Sequence, residues 1–148
     1  MRITTVVALV CLFFAFQACT KEEPYLPERV AQLVGTWQLV EPDSSYKVTL
    51  QLSLDTANPP NDVTPFKANG QAAVNSYDGF LSAAVDGLMI FVRLGSTEIA
   101  GSPTVTQFEQ AYFDNLRSVV RFEVIDKNRL RLYHGGQKPG VLVYKKIN

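Results

Sequence analysis

The chain has 148 residues and balances 14 Lys and Arg against 14 Asp and Glu. That is the length of one domain, without the positive excess that a nucleic-acid or anionic-surface partner calls for. With 47% hydrophobic and 19% charged residues, the chain is too apolar to remain disordered. Its two cysteines and single histidine, His134, cannot supply a zinc site of the Cys/His type, and the sequence calls for no other metal or cofactor.

Met1-Arg2 forms a minimal positive start, and Ile3 to Phe16 is apolar except for Thr4 and Thr5. This run is short of the ~20 residues a membrane-spanning helix needs and has the form of an export signal. Small Ala18 directly precedes Cys19 at its end, which resembles a bacterial lipobox, in which the cysteine is lipidated and becomes the new N-terminus. Two alternatives stay open. One is an ordinary signal peptidase site, although Phe16-Gln17-Ala18 lacks a small residue at its first position; the other is an uncleaved anchor, disfavoured by length. Lys21-Glu22-Glu23 resembles the signal that directs some lipoproteins of Gram-negative bacteria to the outer cell surface, the alternative being a solvated tether on the periplasmic face. The expected organisation is a signal over 1–18, a lipidated Cys19 with a tether over 19–33, and a folded domain over 34–148. Cleavage would also remove Cys11, and lipid would occupy Cys19, so the domain has to be stable without a disulfide.

Pro24 and Pro27 oppose regular structure early in the tether, and Glu28 to Leu33 can form one helical turn. A first strand starts at Gly35, with Trp37 and Leu39 alternating with Gln38 and Val40. Tyr46 to Leu54 shows the clearest period of two: Tyr46, Val48, Leu50, Leu52 and Leu54 share a face, and Lys47, Thr49, Gln51 and Ser53 share the other. Asp55 to Thr64 reads as a loop. Asn69-Gly70 reads as a hairpin turn, and Asp78-Gly79 as the turn of a second hairpin joining 71–77 to 79–85. Asp86-Gly87 precedes an apolar strand over 88–94, and Thr97 to Ala100 a further short one. Ser102-Pro103 has the form of a helix start. Val105, Phe108, Ala111 or Tyr112, Leu116 and Val119 give that helix, over about 103–117, an apolar face, with Gln107, Glu109, Gln110 and Asp114 opposite. Strands over 120–125, 129–132 and 141–147 complete the chain. The expected class is α+β, mainly β: a small antiparallel barrel-like or strongly curved sheet with one packed amphipathic helix.

Five pieces in order resemble the META domain, or HslJ-like, family over about residues 34–147. They are Gly35-Thr36-Trp37-Gln38-Leu39, the block from Asn69-Gly70 through Val74-Asn75-Ser76-Tyr77-Asp78-Gly79-Phe80, Thr97-Glu98-Ile99-Ala100-Gly101, the helix Gln107 to Tyr112, and the ending Leu130-Arg131-Leu132 with Leu142-Val143-Tyr144. The resemblance implies a stress-related or envelope-associated lipoprotein and brings no catalytic residues with it. The family often has cysteines at the positions of Val74 and Gly101, so whatever those cysteines do elsewhere does not carry over. Gly35-x-Trp37 also resembles the first strand of lipocalins, which implies a barrel that carries a small apolar ligand.

Individual residues offer little chemistry. Trp37, Leu50 and Leu52 are candidates to line an internal ligand cavity, with core packing as the alternative. His134 has no recognisable nucleophile partner. Asp78 and Asp86 sit beside glycines as turn formers, and Glu109 and Asp114 read as solvated. Arg117, Arg121, Arg129 and Arg131 form either a basic patch or an ordinary solvated face. The expected function is a membrane-anchored, non-enzymatic envelope lipoprotein in the outer membrane, displayed on the cell surface in preference to the periplasmic face. Its partners would be the membrane through its lipid and an envelope protein, with a small apolar ligand as the alternative and no nucleic acid.

Overall fold

The alternating runs of the sequence become eight antiparallel strands in a computed structural model, which describes residues 26–58 and 60–147. The residues of the signal, Cys19 and Lys21-Glu22-Glu23 lie outside those described. In chain order the elements are α1 (Glu28–Ala31), β1 (Gly35–Glu41), β2 (Thr49–Leu54), β3 (Thr64–Gln71), β4 (Ser76–Ala83) and β5 (Met89–Ser96). They continue with α2 (Pro103–Arg117), β6 (Val119–Ile125), β7 (Arg129–His134) and β8 (Gly140–Lys146).

The strand order is β5-β4-β3-β2-β1-β8-β7-β6. Hairpins generate both halves, and the pairing of β1 with β8 joins them. The curled sheet then brings its two edges together, where Leu88 bridges to Arg121 and the Phe122 N–H donates to the Gly87 carbonyl at 2.8 Å. The result is a nearly closed barrel with one short seam. α2 leads from the end of β5 to the start of β6 and packs where the β3–β4 turn, Tyr46 before β2 and Tyr77 at the start of β4 come together.

One face of each strand supplies the interior. Trp37 and Leu39 from β1, and Leu50 and Leu52 from β2, are buried. Tyr46 and Leu54 pack at the margin of the same cluster, as the period of two predicts. The β2 ladder starts only at Thr49, because Val48 N–H turns back to the Tyr46 carbonyl at 3.0 Å. The Trp37 indole N–H donates to the Leu33 carbonyl at 2.9 Å, which satisfies the one polar atom of that side chain. Lys146 covers the ring 4.9 Å from its centroid and donates to the Val34 carbonyl at 2.9 Å. The segment read as a tether up to residue 33 ends earlier, because Val30 and Leu33 are fully buried in the core.

Four expectations are corrected. Asn69-Gly70 is no turn; both residues lie inside β3, and the reversal comes at 72–75. A Cβ at Gly70 would meet the Thr49 carbonyl oxygen and lie 2.7 Å from the Tyr77 ring, so the glycine makes room for a tyrosine and not for a bend. Asp78-Gly79 likewise lies within β4, where the Arg93 backbone passes too close to Gly79 for any side chain. Thr97 to Ala100 forms no strand, since the Ile99 N–H is taken by the Asn75 side chain at 2.7 Å. Finally, α2 begins as expected, with the Ser102 hydroxyl oxygen accepting from Val105 N–H at 3.4 Å, and Tyr112, Leu116 and Val119 of the expected face are buried with Phe108 packed beside them, but Glu109 and Phe113 are buried on the helix as well. Ala111 is exposed, and Glu109, read as solvated, points inward.

Candidate functional site

Glu109 is 5% exposed and its carboxylate serves as an anchor for the turn between β3 and β4. Its Oε1 accepts from the N–H of Val74 at 2.7 Å and of Asn75 at 2.8 Å, and its Oε2 accepts from Asn75 Nδ2 at 2.6 Å. Burial alone raises the pKa of such a carboxyl, but the Asn75 and Val74 donors outweigh it and hold Glu109 below the usual range, as donors to a charged acceptor do. Asn75 passes the link on. Its Oδ1 accepts from the Thr97 hydroxyl at 2.8 Å and the Ile99 N–H at 2.7 Å, and its Nδ2 donates to the Ile99 carbonyl at 3.1 Å. One buried pair thus fastens the β3–β4 turn and the 97–101 segment to α2. The positions where the family often has cysteines meet at this junction: a Cβ on Gly101 would lie 3.7 Å from Val74 Cγ2, and here the Asn75–Glu109 network joins the segments.

A second polar chain crosses the core. The Tyr77 hydroxyl donates to the Thr49 carbonyl at 2.7 Å; it also lies 2.8 Å from the Tyr112 hydroxyl, which in turn is 3.2 Å from that of Tyr144. Burial pushes all three phenols above their ordinary range, so they stay neutral and act as hydrogen-bonding cross-links between β4, α2 and β8.

Two surface clefts are lined by described residues. The larger, about 500 Å³, lies between the C-terminal end of α2 and the β7–β8 loop and is lined by Asp114, Asn115, Arg117, Ser118, Gly135 and Lys138 among others. Several of its polar groups are committed to one another. The Ser118 hydroxyl donates to the Asp114 carbonyl, Arg117 pairs with Asp114 at 3.3 Å, and the Gly135 N–H donates to the Ser118 carbonyl at 2.9 Å. With its hydroxyl oriented this way and no base beside it among the described residues, Ser118 is no activated nucleophile. The smaller cleft, about 170 Å³, lies by the seam and is lined by Arg29, Arg121, Phe122, Glu123 and Tyr133.

The sequence-derived candidates separate. Trp37, Leu50 and Leu52 come together in the interior, each at most 1% exposed and packed within one continuous core cluster. His134 is buried at the end of β7, and its Nδ1 has no hydrogen-bond partner among the described residues. Asp86 is a turn former, accepting from Leu88 N–H at 3.0 Å, whereas Asp78 is a strand residue. Of the four arginines, Arg117 stays apart on the helix; Arg131 pairs with Glu123 at 3.7 Å, Arg129 lies two residues before it on β7, and Arg121, on the facing strand β6, joins Arg29 at the seam. Arg29 was not among the candidates, and its place in α1 offered no signal for a contact with the β4–β5 turn and β6. Among the described residues, no group of three or more His, Cys, Asp or Glu is placed to hold a metal ion, and no helix is long and apolar enough to cross a membrane.

These features define a small α+β module: an antiparallel sheet curled almost into a barrel, with one helix packed on it and clefts at its surface. Residues 31–146 match the META domain model, and the chain belongs to the META domain family. It is also similar to the NMR structure of a protein from Burkholderia xenovorans, with 22% identity and a TM-score of 0.56 over 86% of this chain and 95% of that one, a likeness that speaks for the fold. Comparison with curated proteins gave no match.

Proposed function

We propose that this chain is a lipid-anchored protein of a bacterial envelope whose META domain serves interaction and not catalysis. The observation that carries the reading is Ala18-Cys19 at the end of the apolar run from Ile3, followed closely by a folded domain. Lipid on Cys19 would give durable attachment, since each buried CH₂ contributes ~0.8 kcal/mol and two or more acyl chains suffice. Eight residues separate Cys19 from the start of α1, and at ~3.6 Å per residue at most they keep the domain within about 30 Å of the anchor. Lys21-Glu22-Glu23 supports delivery to the outer membrane and display on the cell surface. A non-catalytic role fits the described clefts, whose hydroxyl and carboxylate groups are occupied by neighbours in the fold.

The test is expression of the wild-type chain and Cys19→Ala in a Gram-negative host, with labelled fatty acid and fractionation. Wild type should take up label and sediment with the outer membrane, and the variant should do neither. Protease treatment of intact cells then separates the two faces. Release of the domain supports surface display, and complete resistance in cells that become sensitive on lysis refutes it.

A further inference from the structure

The seam between β5 and β6 is held by two guanidiniums that, among the described residues, leave most of their donors unspent. Arg29 reaches across from α1, donates from Nη1 to the Val85 carbonyl at 3.2 Å, and lies 5.6 Å from the centroid of the Phe122 ring. Arg121 donates from Nη2 to the Asp86 carbonyl at 3.4 Å. Both carbonyls belong to the turn at 84–88, so one turn orients two cations from distant parts of the chain. Its Gly87 gives the Arg29 side chain room, since a Cβ there would lie 2.7 Å from Arg29 Nη2. A guanidinium has five N–H donors, and the pair faces the smaller cleft together with Phe122, Glu123 and Tyr133.

The charge balance of this cleft points to an anion. Its one carboxylate, Glu123, already accepts from the Tyr133 hydroxyl at 2.8 Å and pairs with Arg131 at 3.7 Å. The Asp86 carboxylate is used on the backbone of Leu88. With Glu123 paired to Arg131, Arg29 and Arg121 face the cleft with no uncommitted carboxylate in its lining. One carboxylate ligand would satisfy one guanidinium fork; two forks converging from different elements suit a group with three free oxygens. At about 170 Å³ the cleft is below the range of whole-metabolite pockets, so it would take a single head group.

We propose that the Arg29–Arg121 cleft is a phosphate-binding site, taking a phosphate monoester group from either a lipid head group or a soluble ester. The site rests on the geometry of the described residues and is independent of whether Cys19 is lipidated. The test uses the full chain in non-ionic detergent, titrated with inorganic phosphate and followed by backbone amide and arginine Nε–H NMR signals. Saturable shifts are expected at Gly87, Arg121 and Glu123. Arg29→Gln and Arg121→Gln should each weaken binding about tenfold, the loss of a charge-assisted fork. Glu123→Gln should tighten it several-fold, a gain that impaired folding cannot imitate. Mixed micelles then separate the sources: phosphatidate stronger than inorganic phosphate indicates a lipid head group, and the reverse a soluble ester. No saturable shift with either probe, equal shifts with phosphatidylcholine micelles, shifts that survive both arginine substitutions, or weaker binding by Glu123→Gln would each overturn the proposal.

Discussion

Glu109 concentrates what the residue scale decides. A glutamate between Phe108 and Gln110 on an amphipathic helix reads as solvated because carboxylates are rarely buried, and the backbone donors that justify its burial lie more than thirty residues upstream. The helix was legible in its cap and apolar spacing, whereas the rotation of its buried face depends on that distant turn. The network makes a signed prediction. The folded-state pKa of Glu109 is depressed below its ordinary value near 4.5, so its contribution is fully present above that value and is lost as pH falls through the lower folded value. Glu109→Ala should cost about 3 kcal/mol at neutral pH, the scale of losing charged hydrogen bonds that also leave buried donors unpaired. Glu109→Gln should retain the backbone bonds but set its amide against Asn75 Nδ2, flattening the stability profile below pH 4.5. Part of the slope should survive, because Asp55, whose bond from Asn58 is the largest cause of its own lowered pKa, titrates in the same direction. Chemical denaturation across acid pH measures this, and an unchanged slope in Glu109→Gln would show that the carboxylate is not ionised in the folded state.

At the scale of elements, the sequence signals that failed are the two dipeptides with a glycine. Asn69-Gly70 and Asp78-Gly79 carry turn chemistry, yet both sit mid-strand, because a glycine also serves where another group must pass close to the backbone. In β3 that group is the Tyr77 ring, whose hydroxyl crosses Gly70 to reach the Thr49 carbonyl. The period of two from Tyr46 to Leu54 was readable because it depends only on which face is wet; the tyrosine over the glycine depends on cross-strand register, which no local pattern contains. The two readings of Asn69-Gly70 make opposite predictions. A turn would be weakened by substitution at either residue. The strand predicts that Asn69→Ala, at an exposed position, changes stability by less than about 0.5 kcal/mol, while Gly70→Ala costs about 2–3 kcal/mol by forcing Tyr77 aside. Tyr77→Phe should cost about 1 kcal/mol through its lost hydroxyl bonds. Urea denaturation of the three variants distinguishes the readings, and equal effects at 69 and 70 would restore the turn.

The whole molecule depends on contacts that are remote in sequence. The strands and their class were readable from alternation, but their order was not, since β1 meets β8 and β5 approaches β6 through long separations that leave no local trace. The Arg29–Arg121 cleft was hidden for the same reason: Arg121 was visible as a charge, and Arg29 gained its partner only when the sheet curled. This architecture has an unequal distribution of stability. The β1–β2 and β1–β8 ladders lie in the middle of the sheet, while the seam is held by the Leu88–Arg121 bridge, the Phe122–Gly87 hydrogen bond and two arginine side chains. The seam should therefore open in a sub-global event that leaves the centre of the sheet intact. Gly87 controls it, for its φ of +94° is a conformation that a Cβ strains by about 1–2 kcal/mol, and the same Cβ would displace Arg29. Gly87→Ala should speed amide exchange at Leu88 and at residues 119–123 roughly tenfold, the kinetic equivalent of about 1.4 kcal/mol, while Leu50 and Tyr144 in the central ladders keep their wild-type protection. Hydrogen exchange resolved by residue decides the matter. If Phe122 and Leu50 lose protection together and by the same factor, the barrel opens as one unit and its seam has no separate stability; if only the seam accelerates, the turn that orients the two arginines also sets how readily the wall parts.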